Sequence, residues 1–237
     1  MKIILALSSA IILLFSTSCK KDSTVTPYTC TSCVRTPEAL AANDNSSKGI
    51  YKGVMIGSTG TIKFNIANNG NDITALMVID GVNVSLTSTI AWVGGQPYVA
   101  PFTGTLNGAA VNITFSVASD GTNVEVTSSN IPGHPNAVFT LIKETSNALI
   151  EGFIGTYSTT EPETGIFNIL VSRTNNIWGG ISRKTGTTTS EEQTGTIVNN
   201  AIMSGTQQVG IIDGDNLSGS SLDGGGNTVN ISGTRVL

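Results

Sequence analysis

The chain has 237 residues, with 12 Lys and Arg against 16 Asp and Glu, and a formal net charge of −4. Only 12% of the residues are charged, about half the usual share. This composition argues against nucleic acid as a partner, because neutralising phosphates requires clustered lysine and arginine. The length allows one sizeable domain or two small ones after an N-terminal signal.

The N-terminus has the pattern of a secretory signal. Residues 3–15 are uncharged and mostly apolar, Lys2 precedes them, and the small residues 16–18 lead to Cys19. An apolar helix of that length spans about 20 Å, which is short of a bilayer core of about 30 Å. The pattern therefore predicts a cleavable signal peptide over residues 1–18 rather than a membrane-spanning helix.

The cysteine that directly follows these small residues resembles the lipobox of bacterial lipoproteins. Ser16 stands three positions before Cys19, where leucine or valine is commonest in that family. The resemblance implies that the Cys19 thiol carries a diacylglyceryl group, that cleavage occurs before it, and that the new N-terminus is acylated. Two or three acyl chains are needed for a stable anchor, since a single chain binds only weakly. The alternative is an ordinary secretory signal with a chance cysteine.

The same resemblance implies a location and a partner. The protein is expected in the bacterial cell envelope, with membrane lipid as its partner through Cys19. Lys20, rather than aspartate, follows the cysteine, and in this family that is compatible with sorting to the outer membrane.

Two further cysteines, Cys30 and Cys33, would remain after lipidation. An oxidising envelope predicts a local disulfide between them. A thioredoxin-like role would need a βαβ setting, and a zinc site would need about two more ligands. We therefore predict neither a metal nor a cofactor.

Residues 19–48 have the composition of a lipidated tether, rich in Ser, Thr, Pro and Asn. One short helix is possible within it. Thr36 would cap the helix, Pro37 suits its first position, and Asn43 would end it.

From Gly49 onward, apolar and polar residues alternate with a period of two. The runs include Ile62 to Ile66, Val82 to Leu86 with Ile90 and Trp92 in the same parity, and Val111 to Val117. Such alternation predicts strands with one buried and one solvent-facing side. Between them stand Asn-Gly and Asp-Gly pairs at 69, 80, 107, 120, 213 and 223. These pairs favour tight hairpin turns, so neighbouring strands should be antiparallel and the class all-β.

The sequence also suggests an internal duplication. Thr103-Gly-Thr-Leu matches Thr194-Gly-Thr-Ile, and Asp120-Gly-Thr-Asn matches Asp213-Gly-Asp-Asn. Asn136-Ala-Val matches Asn227-Thr-Val, and Phe64-Asn-Ile matches Phe167-Asn-Ile. We predict two β repeats, at 49–146 and 147–237, although chance matching in a Gly- and Thr-rich chain is the alternative.

Each repeat has room for about seven or eight strands, and a sheet of that size must protect its edges by closing or doubling. The predicted fold is an antiparallel meander forming two small barrels or sandwiches in tandem. The alternative is one larger barrel or sandwich built from both repeats. The pattern resembles the Gly- and Thr-rich β lipoproteins of bacterial envelopes.

Few residues point to catalysis. His134 lies in a loop between two prolines, and a general base would need a nucleophile and an orienting carboxylate nearby. The acidic pairs Glu161/Glu163 and Glu191/Glu192 are expected in exposed loops. The segment from Asp213 and the segment from Asp223 lack the glutamate that closes an EF-hand loop and are expected to form turns.

The aromatic residues are the candidate ligand contacts. Trp92 continues the alternation of the apolar residues from Val82 to Leu86 and is therefore expected in the core. Trp178 lies beside a predicted turn and is the better candidate for an exposed contact, with Tyr157 as a second.

We therefore expect a membrane-anchored, non-enzymatic β module with a binding, structural or adhesive role, whose partner is a glycan or an envelope protein. The alternative is a lipocalin-like carrier of a small apolar ligand, which requires an interior cavity. A third hypothesis is that the protein is an enzyme of an unrecognised type.

Overall fold

The computed structural model describes residues 27–237. The predicted signal, Cys19 and residues 20–26 of the predicted tether lie outside the described residues. The described part contains one 3-10 helix and sixteen strands, which confirms the all-β prediction. Within residues 27–237 we find no helix with both the length and the apolarity that a bilayer crossing requires. The elements are the helix Ala41–Asn43 and the strands β1 (Gly49–Ile56), β2 (Gly60–Ile66), β3 (Ile73–Ile79), β4 (Val82–Thr87), β5 (Tyr98–Leu106), β6 (Ala109–Val117), β7 (Glu125–Asn130), β8 (Val138–Glu144), β9 (Glu151–Thr159), β10 (Thr164–Ser172), β11 (Ile177–Lys184), β12 (Glu191–Val198), β13 (Ala201–Ser204), β14 (Gln207–Asp213), β15 (Asn216–Leu222) and β16 (Thr228–Arg235).

The strands form two antiparallel units in tandem. In the first, the order is β7-β6-β5-β4-β3-β2-β1-β8, so that β8 returns beside β1 and a seam remains between β7 and β8. In the second, β16 pairs with β9 and the eight strands close into a barrel. The tandem arrangement was predicted from the sequence, and the single larger barrel was wrong.

The two units differ at the last hairpin. β15 and β16 are paired over their whole length, from Asn216↔Thr234 to Leu222↔Thr228. The corresponding strands β7 and β8 are joined by residues 131–137, which include Pro132 and Pro135. Because proline has no backbone N–H to donate, this connection cannot extend the hairpin ladder, and the seam begins there.

Some of the tight turns lie where the Asn-Gly and Asp-Gly pairs predicted them. Asp80-Gly81 and Asn107-Gly108 have positive φ at both residues, as a type I′ hairpin turn requires. Asn199-Asn200, between β12 and β13, adopts the same conformation and was not predicted. At residues 223–227 the positive φ falls on Gly226 rather than on Gly224.

Some of the internal sequence matches fall on equivalent strands of the two units, and others do not. Phe64 and Phe167 both lie in the second strand of their unit. Thr103 lies in the fifth strand of the first unit, whereas Thr194 lies in the fourth strand of the second. That sequence match therefore joins strands that are not equivalent.

The interior of the first unit is filled by aromatic side chains. Phe64 lies with its ring centroid 4.5 Å from that of Phe115 and 5.0 Å from that of Phe102, and Tyr51 lies 5.1 Å from Phe115. These rings are fully buried, and aliphatic side chains from β1 to β6 surround them. Phe139, on β8 beside the seam, is only partly buried.

The expectation that the fourth strand continues to Ile90 and Trp92 was wrong. β4 ends at Thr87, and Ile90 lies in the following loop with its side chain exposed. Trp92 is in the same loop and is partly buried at the edge of the core, where its Nε1 donates to Ser47 Oγ at 2.8 Å. The alternation stops at Thr87 because the chain leaves the sheet there.

Residues 27–48, which the sequence predicted as part of the tether, are folded onto both units; we call them the strap. Glu38 N donates to Glu144 of β8 at 2.6 Å, and Arg35 donates to Asp215 beside β15. The predicted helix from Pro37 is absent from the strap, which contains only the single 3-10 turn Ala41–Asn43. Ordering of residues 36–40 by these long-range contacts replaces the local helix.

The two units pack against each other through a small apolar contact. Val54, Ile150 and Leu170 are fully buried there, and Leu237 packs against them. Next to this contact, Lys52 and Glu144 form an ion pair at 2.6 Å, with side chains 1% and 0% exposed. The outward face of β1 is therefore buried between the units.

Candidate functional site: the lumen of the second barrel

The second barrel has two different ends. At one end, the strap end, the start of β9 and the end of β16 meet Arg35 and Asp215 in a group of ion pairs. The other end, the open end, is formed by the turns at 160–163, 185–190, 205–206 and 223–227. A cavity extends from the open end into the barrel.

The cavity has a volume of about 590 Å³, within the range of about 300–1,000 Å³ that ligand pockets occupy. Its floor and walls are apolar and include Phe167, Ile169, Trp178, Ile202 and Leu217. Its mouth is polar, with side chains from β9, β12, β14 and the turn after β15. The polar members are Tyr157, Thr159, Glu163, Ser182, Glu191, Gln193, Ser204, Gln207, Ser221 and Asp223.

Glycine on the inner face of the barrel helps to keep this lumen open. A Cβ placed on Gly155 would lie 2.5 Å from the Phe167 ring, and one on Gly195 would lie 2.5 Å from Trp178 Nε1. The aromatic rings therefore lie against backbone that has no side chain. Rings that lie along the wall leave the centre of the barrel free, whereas in the first unit the rings pack on one another.

Tyr157 and Glu163 form a hydrogen-bonded pair at the mouth. The Tyr157 hydroxyl donates to Glu163 Oε1 at 3.0 Å, and Lys184 Nζ donates to Glu163 Oε2 at 2.7 Å. Burial, the hydrogen bond to Glu163 and the nearby carboxylates raise the pKa of Tyr157 to about 12. The hydrogen bond from Lys184 lowers the pKa of Glu163, so the mouth presents a neutral phenol beside an ionised carboxylate.

Glu191 is the second carboxylate of the mouth. It lies at the start of β12, opposite Ser182 of β11, and its side chain is exposed. Within residues 27–237 no basic side chain forms an ion pair with it. Asp223 is the third, and its carboxylate is engaged by the backbone N–H groups of Gly225 and Asn227, both at 2.8 Å.

The two predicted aromatic contacts both line this cavity. Tyr157 lies at the mouth and Trp178 at the floor. The expectation that Trp178 is exposed was wrong: it is 5% exposed, and its Nε1 donates to the Met203 carbonyl at 2.9 Å. It is the second residue of β11, next to the turn, but its side chain points into the barrel and not toward solvent.

Ion pairs hold the strap end closed. Asp215, which is 4% exposed, accepts hydrogen bonds from Arg35 and from the backbone N–H of Cys30. The hydrogen bond from Arg35 lowers the pKa of Asp215 to about 2. Arg235 lies 2.9 Å from Glu151. A ligand can therefore enter the lumen at the open end and not through these pairs.

The disulfide prediction is met at the same end. Cys30 and Cys33 are bonded, with their Cα atoms 5.5 Å apart. The loop that they close places the Cys30 N–H against Asp215 Oδ2 at 2.8 Å, so it belongs to the attachment of the strap. Within the described residues no group of His, Cys, Asp and Glu has the arrangement of a metal site.

His134 lies in a surface loop, as predicted, far along the chain from the carboxylate that it faces. Its Nε2 is 3.6 Å from Asp80 Oδ2, and Ser58 Oγ donates to Asp80 Oδ1 at 2.6 Å. A catalytic triad requires the imidazole between the hydroxyl and the carboxylate. Here the carboxylate stands between the other two groups, so His134 cannot take the Ser58 proton through this contact.

The remaining acidic candidates lie at separate places in the structure. Glu161 is exposed in the turn after β9. Glu192 follows Glu191 on β12 and faces the outside of the barrel, where it lines a cavity of about 530 Å³ along the seam of the first unit. Asp213 and Asp215 lie in one turn, but only Asp215 is buried in the ion pairs.

Sequence reasoning missed Glu163 and Glu191 as cavity residues and placed them in exposed loops. For Glu191 the available signal was the parity of β12, since Glu191 and Gln193 have the same parity as Gly195. Glu163 lies in the turn after β9, where parity gives no such signal. The parity of a strand shows which side chains share a face. It does not show that the face encloses a lumen.

The comparisons with known proteins add no relative. A scan against protein-family models, a search of curated proteins and a search of solved structures each returned no match to this chain. The class that the fold defines is a tandem antiparallel β protein with one closed barrel.

Proposed function

We propose that this protein is a lipid-anchored binding protein of the bacterial cell envelope, whose second barrel holds a small molecule and whose action is binding rather than catalysis. The observation that carries the proposal is the difference between the two interiors. Aromatic rings fill the first unit, whereas the second encloses a cavity of about 590 Å³ that opens at one end.

The shape of the cavity supports a ligand with an apolar body and a polar end. The apolar floor is made by Trp178, Ile202 and Leu217, and the hydrogen-bonding groups are gathered at the mouth. Removing an apolar body from water favours binding by about 25 cal/mol for each Å² buried. The polar end can remain at the mouth, where it keeps its hydrogen bonds to side chains and water.

The anchor is the second part of the proposal. It rests on the sequence pattern that ends at Cys19 and on the acyl chains which that pattern implies. The strap begins at the end of the barrel opposite the mouth, where the Tyr28 hydroxyl donates to the Arg235 carbonyl at 3.1 Å.

The lumen can be tested by filling it. Ser221 and Ser220 are adjacent on β15; Ser221 lines the cavity and Ser220 is exposed on the outer face. We expect native mass spectrometry of the protein taken from its source membrane to show a stoichiometric small-molecule adduct. Ser221→Trp should abolish the adduct, and the matched variant Ser220→Trp should keep it.

Two results would contradict the proposal. One is the absence of an adduct in the unaltered protein together with no binding of added small amphiphiles. The other is an adduct that survives Ser221→Trp in a protein with an unchanged circular dichroism spectrum, since the ligand would then lie elsewhere.

A further inference from the structure

We propose that the ligand of the second barrel is an organic ammonium ion, a protonated or quaternary amine on an apolar body, and not a fatty acid or another anion. The inference rests on the proposed function and names the ligand class for the same cavity. It follows from the charge and the aromatic content of the cavity wall together.

The charged side chains of the wall have one sign. The lining includes the carboxylates of Glu163, Glu191 and Asp223, and no lysine, arginine or histidine belongs to it. Lys184 reaches Glu163 from outside the lining, at 2.7 Å. A cleft with carboxylates of one sign and apolar walls concentrates cations and repels anions.

Glu191 is the carboxylate of the lining that can still pair with a cationic ligand. Glu163 is already paired with Tyr157 and Lys184, and Asp223 with the backbone of its own turn. Glu191 stands at the mouth without an ion pair among the described residues. Glu191 and Tyr157 line the same cavity.

The aromatic rings favour the same ligand charge. Tyr157, Phe167 and Trp178 all line the cavity. The face of an aromatic ring attracts a cation through its quadrupole, and Trp and Tyr do so most strongly. An ammonium group at the mouth would meet Tyr157 and Glu191, while its apolar body would extend toward Trp178 on the floor.

A fatty acid would meet the opposite conditions. Its carboxylate at the mouth would face Glu163 and Glu191 without a basic partner in the lining. If the head group were reversed, the carboxylate would be buried on the apolar floor, which is costly for an unpaired charge. Either orientation is disfavoured by the residues that are present.

The test compares three ligands with the same apolar body: n-octylamine, n-octanol and octanoate, each below its micelle concentration at pH 7. The protein is the full mature chain purified from its source membrane. Binding is followed by isothermal titration and by the fluorescence of Trp178 in a Trp92→Phe background. We expect octylamine to bind about tenfold more tightly than octanol, and octanoate to bind more weakly than octanol.

Adjacent glutamates on β12 give the matched variants. Glu191→Gln should remove most of the preference for octylamine over octanol, and Glu192→Gln, on the outer face, should leave it unchanged. Raising the salt concentration should reduce the preference, because screening weakens the ionic contribution.

The possible failures can be told apart. If octanol or octanoate binds as tightly as octylamine, or if both glutamine variants lower the preference equally, the inference about charge is overturned while the proposed lumen function stands. If none of the three ligands binds and the native protein carries no adduct, both are overturned.

Discussion

The guanidinium of Arg35 donates to both carboxylate oxygens of Asp215, at 2.6 and 2.7 Å, although 180 residues separate them in the sequence. The same carboxylate accepts the backbone N–H of Cys30. Arg235, which is 2% exposed, lies 3.6 Å away and also contacts Glu151. This carboxylate therefore attaches the strap to the second barrel and closes the end of the barrel opposite the cavity mouth.

Replacing Asp215 should reveal a pH-dependent contribution to stability. The pKa of Asp215 is lowered to about 2, below the ordinary value of about 3.9 that the unfolded chain has. Its ionised form therefore stabilises the fold fully above about pH 4, and this contribution is lost as the pH falls toward 2. We expect Asp215→Asn to lower the free energy of unfolding at pH 7 by about 1.5–3 kcal/mol, the range for a hydrogen bond to a charged group.

The measurement is urea denaturation between pH 2 and pH 7. Asp213→Asn, an exposed position in the same turn, is the matched control and should have little effect. A difference between wild type and Asp215→Asn that grew on acidification would contradict the assignment.

The buried ion pair of Lys52 and Glu144, on the face of the first unit that the second unit covers, should be sensitive to removal of its cation. Lys52→Met would leave the Glu144 carboxylate, which is fully buried, without its charged partner. Breaking a buried pair in this way costs about 3–5 kcal/mol. Chemical denaturation should show this loss.

Lys63 provides the comparison for that variant. It is one third exposed and pairs with Glu38 at 2.7 Å. Lys63→Met should cost less than about 1 kcal/mol, as for other exposed pairs. Equal losses in the two variants would mean that burial between the units does not control the energy of the pair.

A methyl group on the inner wall of the second barrel should be poorly tolerated where a ring lies on it. Gly155→Ala would place a Cβ 2.3 Å from the Ser232 carbonyl oxygen and 2.5 Å from the Phe167 ring. We expect a loss of about 1–3 kcal/mol from overpacking. Gly224→Ala, where a Cβ meets nothing within 4 Å, should be neutral. Thermal unfolding followed by circular dichroism would measure both, and a neutral Gly155→Ala would show that Phe167 does not lie against this wall.

The anchor depends on one thiol. If Cys19 is acylated, Cys19→Ala should either release the protein into aqueous fractions or leave its signal uncleaved. Fractionation of cells, with mass measurement of the protein, distinguishes these forms. A processed Cys19→Ala protein that stayed with the membrane would exclude acylation as the means of attachment.

The sequence alone determined the all-β class, and it favoured two units in tandem while leaving one larger barrel as the alternative. The alternation around Phe64 and Val111 and the turns at Asp80 and Asn107 depend on neighbours within a few residues, so local patterns are sufficient to predict them. The disulfide between Cys30 and Cys33 was predicted from the oxidising envelope that the N-terminal signal implies.

Only the tertiary structure decided which interior is filled and which is open. The alternation of apolar and polar residues assigns Phe115 and Trp178 to one face of their strands. The space inside a unit depends on how all eight strands pair around it, which the alternation does not show. The place of Trp178 on a cavity floor and the pairing of Arg35 with Asp215 depend on segments distant in sequence. Such contacts depend on how the chain folds back on itself, and the local alternation of apolar and polar residues does not predict them.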